Sequence, residues 1–264
     1  MPLDISSLDN LPKYWDKVLR RNEFFIGVPE AGWRRLEEQL KKAVSLGAET
    51  VVDLGCGTGV AVPQLSKLFK SVVAVDFATE ALAKCEADCK QLGLRNVRFI
   101  KTSMTDLECI KSADVVLTIN SLTLPLITDL RTALGQVRRV LQRKPGLFLG
   151  VLPSIDSRHY EQMVLIDFHM KRGLSEDEAK NHVIKQGLGK VDFRMSRSTE
   201  SGPLQHFWTP HEIEYRLVQA GFERIELSKL DLSWETVTHL KTVRPPMPPW
   251  DWFFTARITD AVKS

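Results

Sequence analysis

A glycine-rich loop follows a short apolar segment that ends in Asp53 and Leu54. Alternate glycines let the backbone turn tightly and let a ligand approach without interference from Cβ atoms. Their spacing, Gly-x-Gly-x-Gly, differs from the Gly-x-Gly-x-x-Gly of dinucleotide-binding loops. Asp53 would repel an anion such as pyrophosphate and attract a ligand that carries positive charge. The loop itself consists of Gly55, Cys56, Gly57, Thr58 and Gly59.

A second acidic residue, Asp76, follows the next apolar segment, residues 71–75. A carboxylate at a strand end can accept two hydrogen bonds from the hydroxyls of a ribose. Aspartate is also a common N-cap of helices, so Asp76 could instead be the N-cap of the helix that follows. The place of Asp76 in the unit that contains the glycine loop favours ribose binding.

Apolar and amphipathic segments alternate between residues 50 and 152. Because successive parallel strands need crossover helices, this alternation predicts an α/β fold with a doubly wound, seven-stranded, mostly parallel, Rossmann-like sheet. The predicted strands are 50–54, 71–75, 97–101, 114–119, 146–152, 224–232 and 252–258. The predicted helices are 8–47, 60–69, 78–92, 126–141, a short helix after the capping box 175–178 and one after the capping box 209–212.

We expect one domain over residues 1–264 with four parts. These parts are an N-terminal helical region (1–47), a cofactor-binding core (48–152), a helical insertion after the fifth strand (153–206), and a C-terminal helix with the late strands (207–264). Residues 156–206 show no clear strand pattern. Since ligands of such sheets bind beyond the carboxyl ends of the strands, the insertion is well placed to act as a lid.

Composition excludes several classes of protein. The 264 residues are 43% hydrophobic and 26% charged, which is typical of a globular domain. The net charge of +3 is too small to indicate nucleic acid or an anionic membrane as a partner. Four cysteines are too few for a disulfide framework, and Cys85 and Cys89 are expected to be free thiols on one helix face rather than a metal pair. With no signal peptide or apolar span of about 18 residues, we expect a soluble, cytoplasmic, metal-free protein.

Three stretches resemble one protein family. Val51–Val60 with Asp76 resembles motif I and the following acidic motif of class I S-adenosylmethionine-dependent methyltransferases. Arg138–Leu149 is similar to the helix, Pro-Gly turn and fifth strand of that family, and Phe207–Phe222 resembles the late helix of its small-molecule branch. The resemblance implies S-adenosylmethionine as the cofactor and a small organic molecule as the methyl acceptor.

The resemblance also implies roles for individual residues. The glycine loop would lie under the methionine part of the cofactor, with Asp53 near its ammonium group and Asp76 on the ribose. Phe77 would lie against the adenine face, and Asn120 near the methyl group. The implied cofactor-binding residues are Tyr14, Asp53, Gly55, Cys56, Gly57, Gly59, Asp76, Phe77, Ser103, Met104 and Asn120.

Three of these roles have alternatives. Many relatives carry aspartate at the position of Ser103, so Asp106 is a second candidate for the adenine amino group. Tyr14, with Trp15, either closes over the cofactor or forms one face of an amphipathic helix. Asn120 is either near the methyl group or a turn-forming residue that caps a strand.

The residues that would act on the methyl acceptor are sought in and beside the insertion. Methyl transfer needs a general base only when the acceptor must lose a proton. Candidate bases in or beside the insertion are His159, Tyr160, His169, His206 and His211, of which we take His159 and His206 as candidate catalytic residues. The family signature for methylation of nucleobase or glutamine amino groups, Asn/Asp-Pro-Pro-Tyr/Phe, is absent at residues 120–123. Together with the modest charge, its absence argues against a nucleic-acid substrate.

Three other functions remain open at this point. A protein side chain could be the acceptor, the chain could be a dinucleotide-dependent oxidoreductase, or it could bind S-adenosylmethionine without catalysis. The glycine spacing and Asp53 count against the oxidoreductase. The oligomeric state is not indicated.

Overall fold

The central element of the fold is a seven-stranded sheet. The structure, a computed structural model, describes residues 14–15, 28–141, 145–185, 191–192, 194–199, 204–237 and 245–258. The strands of the sheet are β1 (Thr50–Leu54), β2 (Ser71–Asp76), β3 (Val97–Lys101), β4 (Val115–Ile119), β5 (Leu147–Pro153), β9 (Phe222–Asp231) and β10 (Trp250–Ile258). Their order is β3-β2-β1-β4-β5-β10-β9. The first five strands are parallel, and β10 is antiparallel to both β5 and β9. The predicted doubly wound, mostly parallel sheet is confirmed.

Helices cover both faces of this sheet. They are α1 (Glu30–Ser45), α2 (Val62–Leu68), α3 (Thr79–Gln91), α4 (Ile127–Val140), α5 (Ile155–Met170), α6 (Glu176–Lys185), α7 (Pro210–Gln219) and α8 (Trp234–Val237). Neighbouring residues of β1 point to opposite faces, so Val51 packs in the core beneath α1, α2 and α3, and Val52 packs in the core beneath α4 and α7. The two cores hold the carboxyl ends of the parallel strands at one edge.

The insertion after β5 contains strands as well as helices. A small antiparallel sheet is formed by β6 (Val191–Asp192), β7 (Arg197–Thr199) and β8 (Leu204–His206). The expectation that residues 156–206 contain no strand is therefore wrong. These strands have two or three residues each, which is too short for an alternating pattern to show in the sequence.

The N-terminal region is not one continuous helix. Val28 and Pro29 are not helical, and α1 begins at Glu30. Proline has no N–H to donate and disfavours a helical conformation in the residue before it, so the predicted helix 8–47 is interrupted here. Tyr14 and Trp15 are helical, and the rest of residues 1–27 lies outside the described residues. Within the described part of the chain, no helix is long and apolar enough to span a membrane.

Candidate active site

The glycine loop turns at the carboxyl edge of the sheet and is fastened to β2. The backbone N–H groups of Gly55 and Cys56 both donate to the carbonyl of Val75, at 2.8 and 2.9 Å. Gly55 has φ +74°, and a Cβ atom there would lie 2.3 Å from Cβ of Ser121. The loop therefore packs against the segment that follows β4 without room for a side chain.

Asp53 lies at the end of β1 directly below this loop. Its side chain is only 3% exposed, and Oδ2 has no hydrogen-bond partner among the described residues. Burial, with a smaller contribution from the charge of Asp76, raises the pKa of Asp53 to about 7. A buried carboxylate without a partner is costly unless a cation or donor completes it. This orphaned oxygen fits the ammonium group of an amino-acid ligand.

Asp76, at the end of β2, holds the glycine loop and the start of α3. Oδ2 accepts a hydrogen bond from the N–H of Gly57 at 2.7 Å, and Oδ1 accepts one from the N–H of Ala78 at 2.8 Å. The N-cap of α3 is Ala78, so the alternative role of Asp76 as that N-cap is wrong. An ionised carboxylate can accept about four hydrogen bonds, so ribose hydroxyls could share this carboxylate with the backbone of the loop.

Removing the Asp76 carboxylate should therefore affect both binding and stability. We expect Asp76→Ala to weaken S-adenosylhomocysteine binding by about tenfold or more, because charge-assisted hydrogen bonds contribute about 1.5–3 kcal/mol each. Loss of the bonds to Gly57 and Ala78 should lower the free energy of unfolding by about 2 kcal/mol. Calorimetric titration and urea denaturation measure the two effects. Wild-type affinity in a folded variant would exclude the ribose role.

The loop after β3 lies beside Asp76 and carries the predicted adenine contacts. The N–H of Thr102 donates to the Asp76 carbonyl at 3.1 Å. The Ser103 hydroxyl lies 2.8 Å from that of Thr105, and Met104 is buried in the core. Asp106 is exposed and accepts from the N–H of Glu108. The adenine roles of Ser103 and Asp106 both remain predictions.

Two aromatic side chains, Phe77 and Tyr14, are further predicted cofactor contacts. Phe77, which follows β2, is half-buried, and its contact with the adenine ring remains a prediction. Tyr14 and Trp15 are half-buried, with their rings in edge contact at 5.6 Å between centroids. Burial raises the pKa of the Tyr14 phenol. Whether Tyr14 covers the cofactor remains a prediction.

Three thiols lie where the glycine loop meets α3: Cys56 belongs to the loop, and Cys85 and Cys89 belong to the helix. The Cys56 thiol donates to the Gly57 carbonyl, with 3.7 Å between sulfur and oxygen, and the nearby thiols of Cys56 and Cys89 lower the pKa of Cys85. All three are free and buried, as expected for Cys85 and Cys89. A Cβ atom on Gly59 would lie 2.3 Å from Sγ of Cys85, so this glycine allows the loop to rest on the helix. Among the described residues, no group of three or more His, Cys, Asp or Glu side chains could hold a metal ion.

Asn120, directly after β4, connects the glycine loop to a second buried carboxylate. Asn120 has φ +50°, so it does form a turn. Its Nδ2 donates to Oδ2 of Asp251 at 3.1 Å, and its Oδ1 has no partner among the described residues. On the other side, the hydroxyl of Ser121 donates to the carbonyl of Leu54 at 2.5 Å. The turn thus places Asn120 between the methionine end of the predicted cofactor site and Asp251.

Asp251 is a site residue that the sequence analysis missed. It pairs in register with Pro153 at the carboxyl end of β5 and is 7% exposed. Burial raises its pKa to about 7, although the hydrogen bond from Asn120 and the charge of Arg158 oppose the rise. The available signal was its place as the one charged residue in the apolar run 250–256.

The buried side of α5 supplies the charges next to Asp251. Nη1 of Arg158 donates to Oε2 of Glu161 at 2.7 Å, and the Ser157 hydroxyl donates to Oε1 of Glu161 at 3.0 Å. Burial raises the pKa of Glu161 in spite of these partners. The same Ser157 hydroxyl accepts from the N–H of Trp250, which fixes α5 to β10 beside Asp251.

The two candidate catalytic histidines lie in different environments. His159 lies on the exposed side of α5, opposite the buried Arg158 and Glu161. His206, in β8, is 0% exposed, and its backbone N–H donates to the carbonyl of Thr123 in the loop after β4. Its Nε2 lies 3.2 Å from Oε2 of Glu212. Neither histidine is joined to the glycine loop by a contact within the described residues, and the catalytic role of both remains a prediction.

Glu212 couples the insertion to α7. Burial opposes ionisation of Glu212, but His206 and Arg216 together lower its pKa to about 2. The stabilisation from this carboxylate should be complete above pH 5 and lost as the pH falls from 4.5 towards 2. We expect Glu212→Gln to lower the free energy of unfolding by about 1 kcal/mol at pH 7 and by less at pH 3. Urea denaturation tests this, with the exposed Glu214→Gln as the control that should show no change.

Comparisons with known proteins agree with this geometry. Residues 51–144 match the profile of a family described as a methyltransferase domain. A Geobacillus sp. (strain WCH70) protein with a methyltransferase name is 33% identical over 107 residues, which are 39% of this chain and 40% of that relative.

Solved structures show the same fold over the whole chain. A Burkholderia thailandensis 1,6-didemethyltoxoflavin-N1-methyltransferase, solved with 1,6-didemethyltoxoflavin and S-adenosylhomocysteine, has a TM-score of 0.63 at 17% identity, covering 98% of this chain and 93% of its own. An S-adenosylmethionine-dependent methyltransferase from Clostridium acetobutylicum ATCC 824 has a TM-score of 0.56 at 15% identity, covering 96% and 99%.

The comparisons cover different parts of the chain. Residues 51–144 match the methyltransferase-domain family. Over nearly its full length, the chain shares the fold of solved S-adenosylmethionine-dependent methyltransferases. The match to the curated relative spans 40% of that relative's length.

Proposed function

We propose that the protein transfers a methyl group from S-adenosylmethionine to a small organic acceptor. The observation that carries the proposal is the buried carboxylate of Asp53, which has an orphaned oxygen beneath the glycine loop. Asp76 stands one strand away and holds the loop through Gly57. This arrangement suits a ligand that carries an ammonium group at one end and a ribose at the other.

The cofactor, when bound, supplies a methyl group on a positively charged sulfur. Asp53 would hold the ammonium group, Asp76 the ribose, and Phe77 the adenine ring. Because the sulfur leaves without charge, the protein mainly has to align donor and acceptor and exclude water. Asn120 and Asp251 lie where the acceptor would approach.

The insertion supports a small acceptor. Its last strand, β8, reaches back to the carboxyl edge, where Trp208 donates its N–H to the Pro153 carbonyl and its Nε1–H to the Leu122 carbonyl. The insertion is thereby fixed next to the acceptor side of the site. The small-molecule acceptor of the Burkholderia thailandensis structure fits this interpretation.

Calorimetric titration tests the cofactor assignment first. We expect micromolar binding of S-adenosylmethionine and S-adenosylhomocysteine, and none of NADH or NADPH. Binding of a nicotinamide nucleotide instead would support the oxidoreductase. A screen of small-molecule acceptors that follows S-adenosylhomocysteine formation then separates a catalyst from a protein that only binds the cofactor.

A further inference from the structure

We propose that Asp251 accepts the proton that the methyl acceptor loses, so that the acceptor is a molecule with an O–H or N–H nucleophile. This inference rests on the proposed function and adds to it a proton acceptor and a substrate class. It follows from the position of Asp251, from the unused hydrogen-bonding capacity around it, and from its charged neighbours.

The position of Asp251 places it on the acceptor side of the site. A continuous set of contacts leads from the glycine loop to Asp251: Gly55 packs on Ser121, and the preceding residue, Asn120, donates to Asp251. Asp251 shares a sheet face with Pro153, at the carboxyl end of β5. Ligands of doubly wound sheets bind beyond these strand ends.

Side-chain oxygens of Asn120 and Asp251 can accept further hydrogen bonds. Oδ1 of Asn120 has no partner among the described residues. The Asp251 carboxylate accepts from Asn120 and from the backbone N–H of Ser154, which leaves further lone pairs. Two acceptor groups side by side select a ligand that donates. An O–H or N–H group satisfies them, whereas a thioether or a tertiary amine does not.

The charged neighbours leave Asp251 able to take up a proton. Arg158 and Glu161, both on α5, are the charged groups that act on it, and Arg158 is already paired with Glu161 at 2.7 Å. Within the part of the chain that the structure describes, Asp251 forms no ion pair, and its pKa of about 7 allows it to gain a proton near neutral pH.

The acceptor's proton moves to Asp251 as the acceptor atom takes the methyl group. The O–H or N–H bond of the acceptor breaks, and the proton binds to the Asp251 carboxylate. The electron pair stays on the acceptor atom and forms its bond to the methyl carbon, while the carbon–sulfur bond breaks and its electrons remain on sulfur. The products are the methylated acceptor, S-adenosylhomocysteine and a protonated Asp251, which loses its proton to solvent.

The test uses probe pairs that differ only in the donor group. The whole protein is saturated with S-adenosylhomocysteine and titrated with phenol against anisole, and with imidazole against 1-methylimidazole. Binding is followed by the ¹³C signal of the Asp251 carboxyl carbon, identified by its absence in Asp251→Asn. We expect phenol and imidazole to shift this signal and to bind about tenfold or more tightly than their methylated counterparts. Asp251→Asn should lose the preference, and Asp231→Asn, an exposed aspartate on β9, should keep it.

Equal binding within both pairs, or a preference that survives in Asp251→Asn, would overturn the role of Asp251 as the proton acceptor. If Asp251→Asn does not fold, wild-type protein suffices: phenol affinity should rise several-fold between pH 6 and pH 8 as Asp251 ionises, and anisole affinity should stay constant. A failure of wild-type protein to bind S-adenosylhomocysteine would refute the cofactor assignment, which is a separate result.

Discussion

Asp53→Asn is expected to weaken S-adenosylhomocysteine binding by about 10- to 100-fold. The orphaned Oδ2 of Asp53 is the group that would face the cofactor's ammonium, and a charge-assisted bond contributes about 1.5–3 kcal/mol. Isothermal titration calorimetry measures the loss. The matched control is 5′-methylthioadenosine, which lacks the amino-acid part of the cofactor and should bind both proteins equally. An equal loss for both ligands would contradict the assignment.

The same substitution should stabilise the ligand-free protein at alkaline pH. The folded protein holds the Asp53 proton up to a pKa of about 7, and the unfolded chain releases it near 3.8, so wild-type stability falls as the pH rises between these values. The full cost of ionising Asp53 is about 4 kcal/mol as an upper bound. Asp53→Asn should therefore raise the Tm by several degrees at pH 8 and by little at pH 4. A shift in Tm that is independent of pH would contradict this origin.

Cofactor binding should also release a proton below pH 7. The free protein holds Asp53 protonated there, whereas an adjacent ammonium favours the carboxylate. Wild-type affinity should thus fall as the pH drops, by up to about tenfold per pH unit below 7. Titrations in buffers of different ionisation enthalpy measure the released proton, and Asp53→Asn should release less.

Local signals explain why the core of the site could be predicted from the sequence. The glycine loop, Asp53 and Asp76 each directly follow or end a short apolar strand, and the strands alternate with amphipathic helices. Parallel pairing then places all the strand ends at one edge. The strands β1 and β3 have the predicted bounds, Thr50–Leu54 and Val97–Lys101, and the other strands and helices between residues 60 and 153 differ from prediction by at most two residues at either end.

The acceptor side depends on contacts between distant parts of the chain. Asn120 and Asp251 are 131 residues apart and meet only because β10 inserts antiparallel beside β5. His206 reaches the carbonyl of Thr123, in the loop after β4, through the short strands of the insertion, and those strands have no periodic pattern. Hydrophobic periodicity shows which residues are buried, but it does not show which buried polar groups become partners.

Gly55→Ala is expected to lower the free energy of unfolding by about 2–5 kcal/mol and to weaken cofactor binding at least tenfold. A φ of +74° costs a residue with a Cβ atom about 1–2 kcal/mol. The new methyl group would also lie 2.3 Å from Cβ and 2.6 Å from Oγ of Ser121, and such overpacking typically costs about 1–3 kcal/mol. Ser121 cannot easily yield, because its hydroxyl is bonded to the Leu54 carbonyl and lies 2.7 Å from that of Thr118.

Two further variants separate the backbone cost from the steric one. Gly47 also has a positive φ, +94°, but no atom lies within 4 Å of its new Cβ, so Gly47→Ala should cost only about 1 kcal/mol. In a double-mutant cycle, Ser121→Gly should recover about 1–3 kcal/mol in the Gly55→Ala background, because it removes the clashing side chain. Urea denaturation gives all four free energies. If Gly55→Ala costs no more than Gly47→Ala, or if Ser121→Gly adds to the loss, then the close packing of the loop on Ser121 does not determine its conformation.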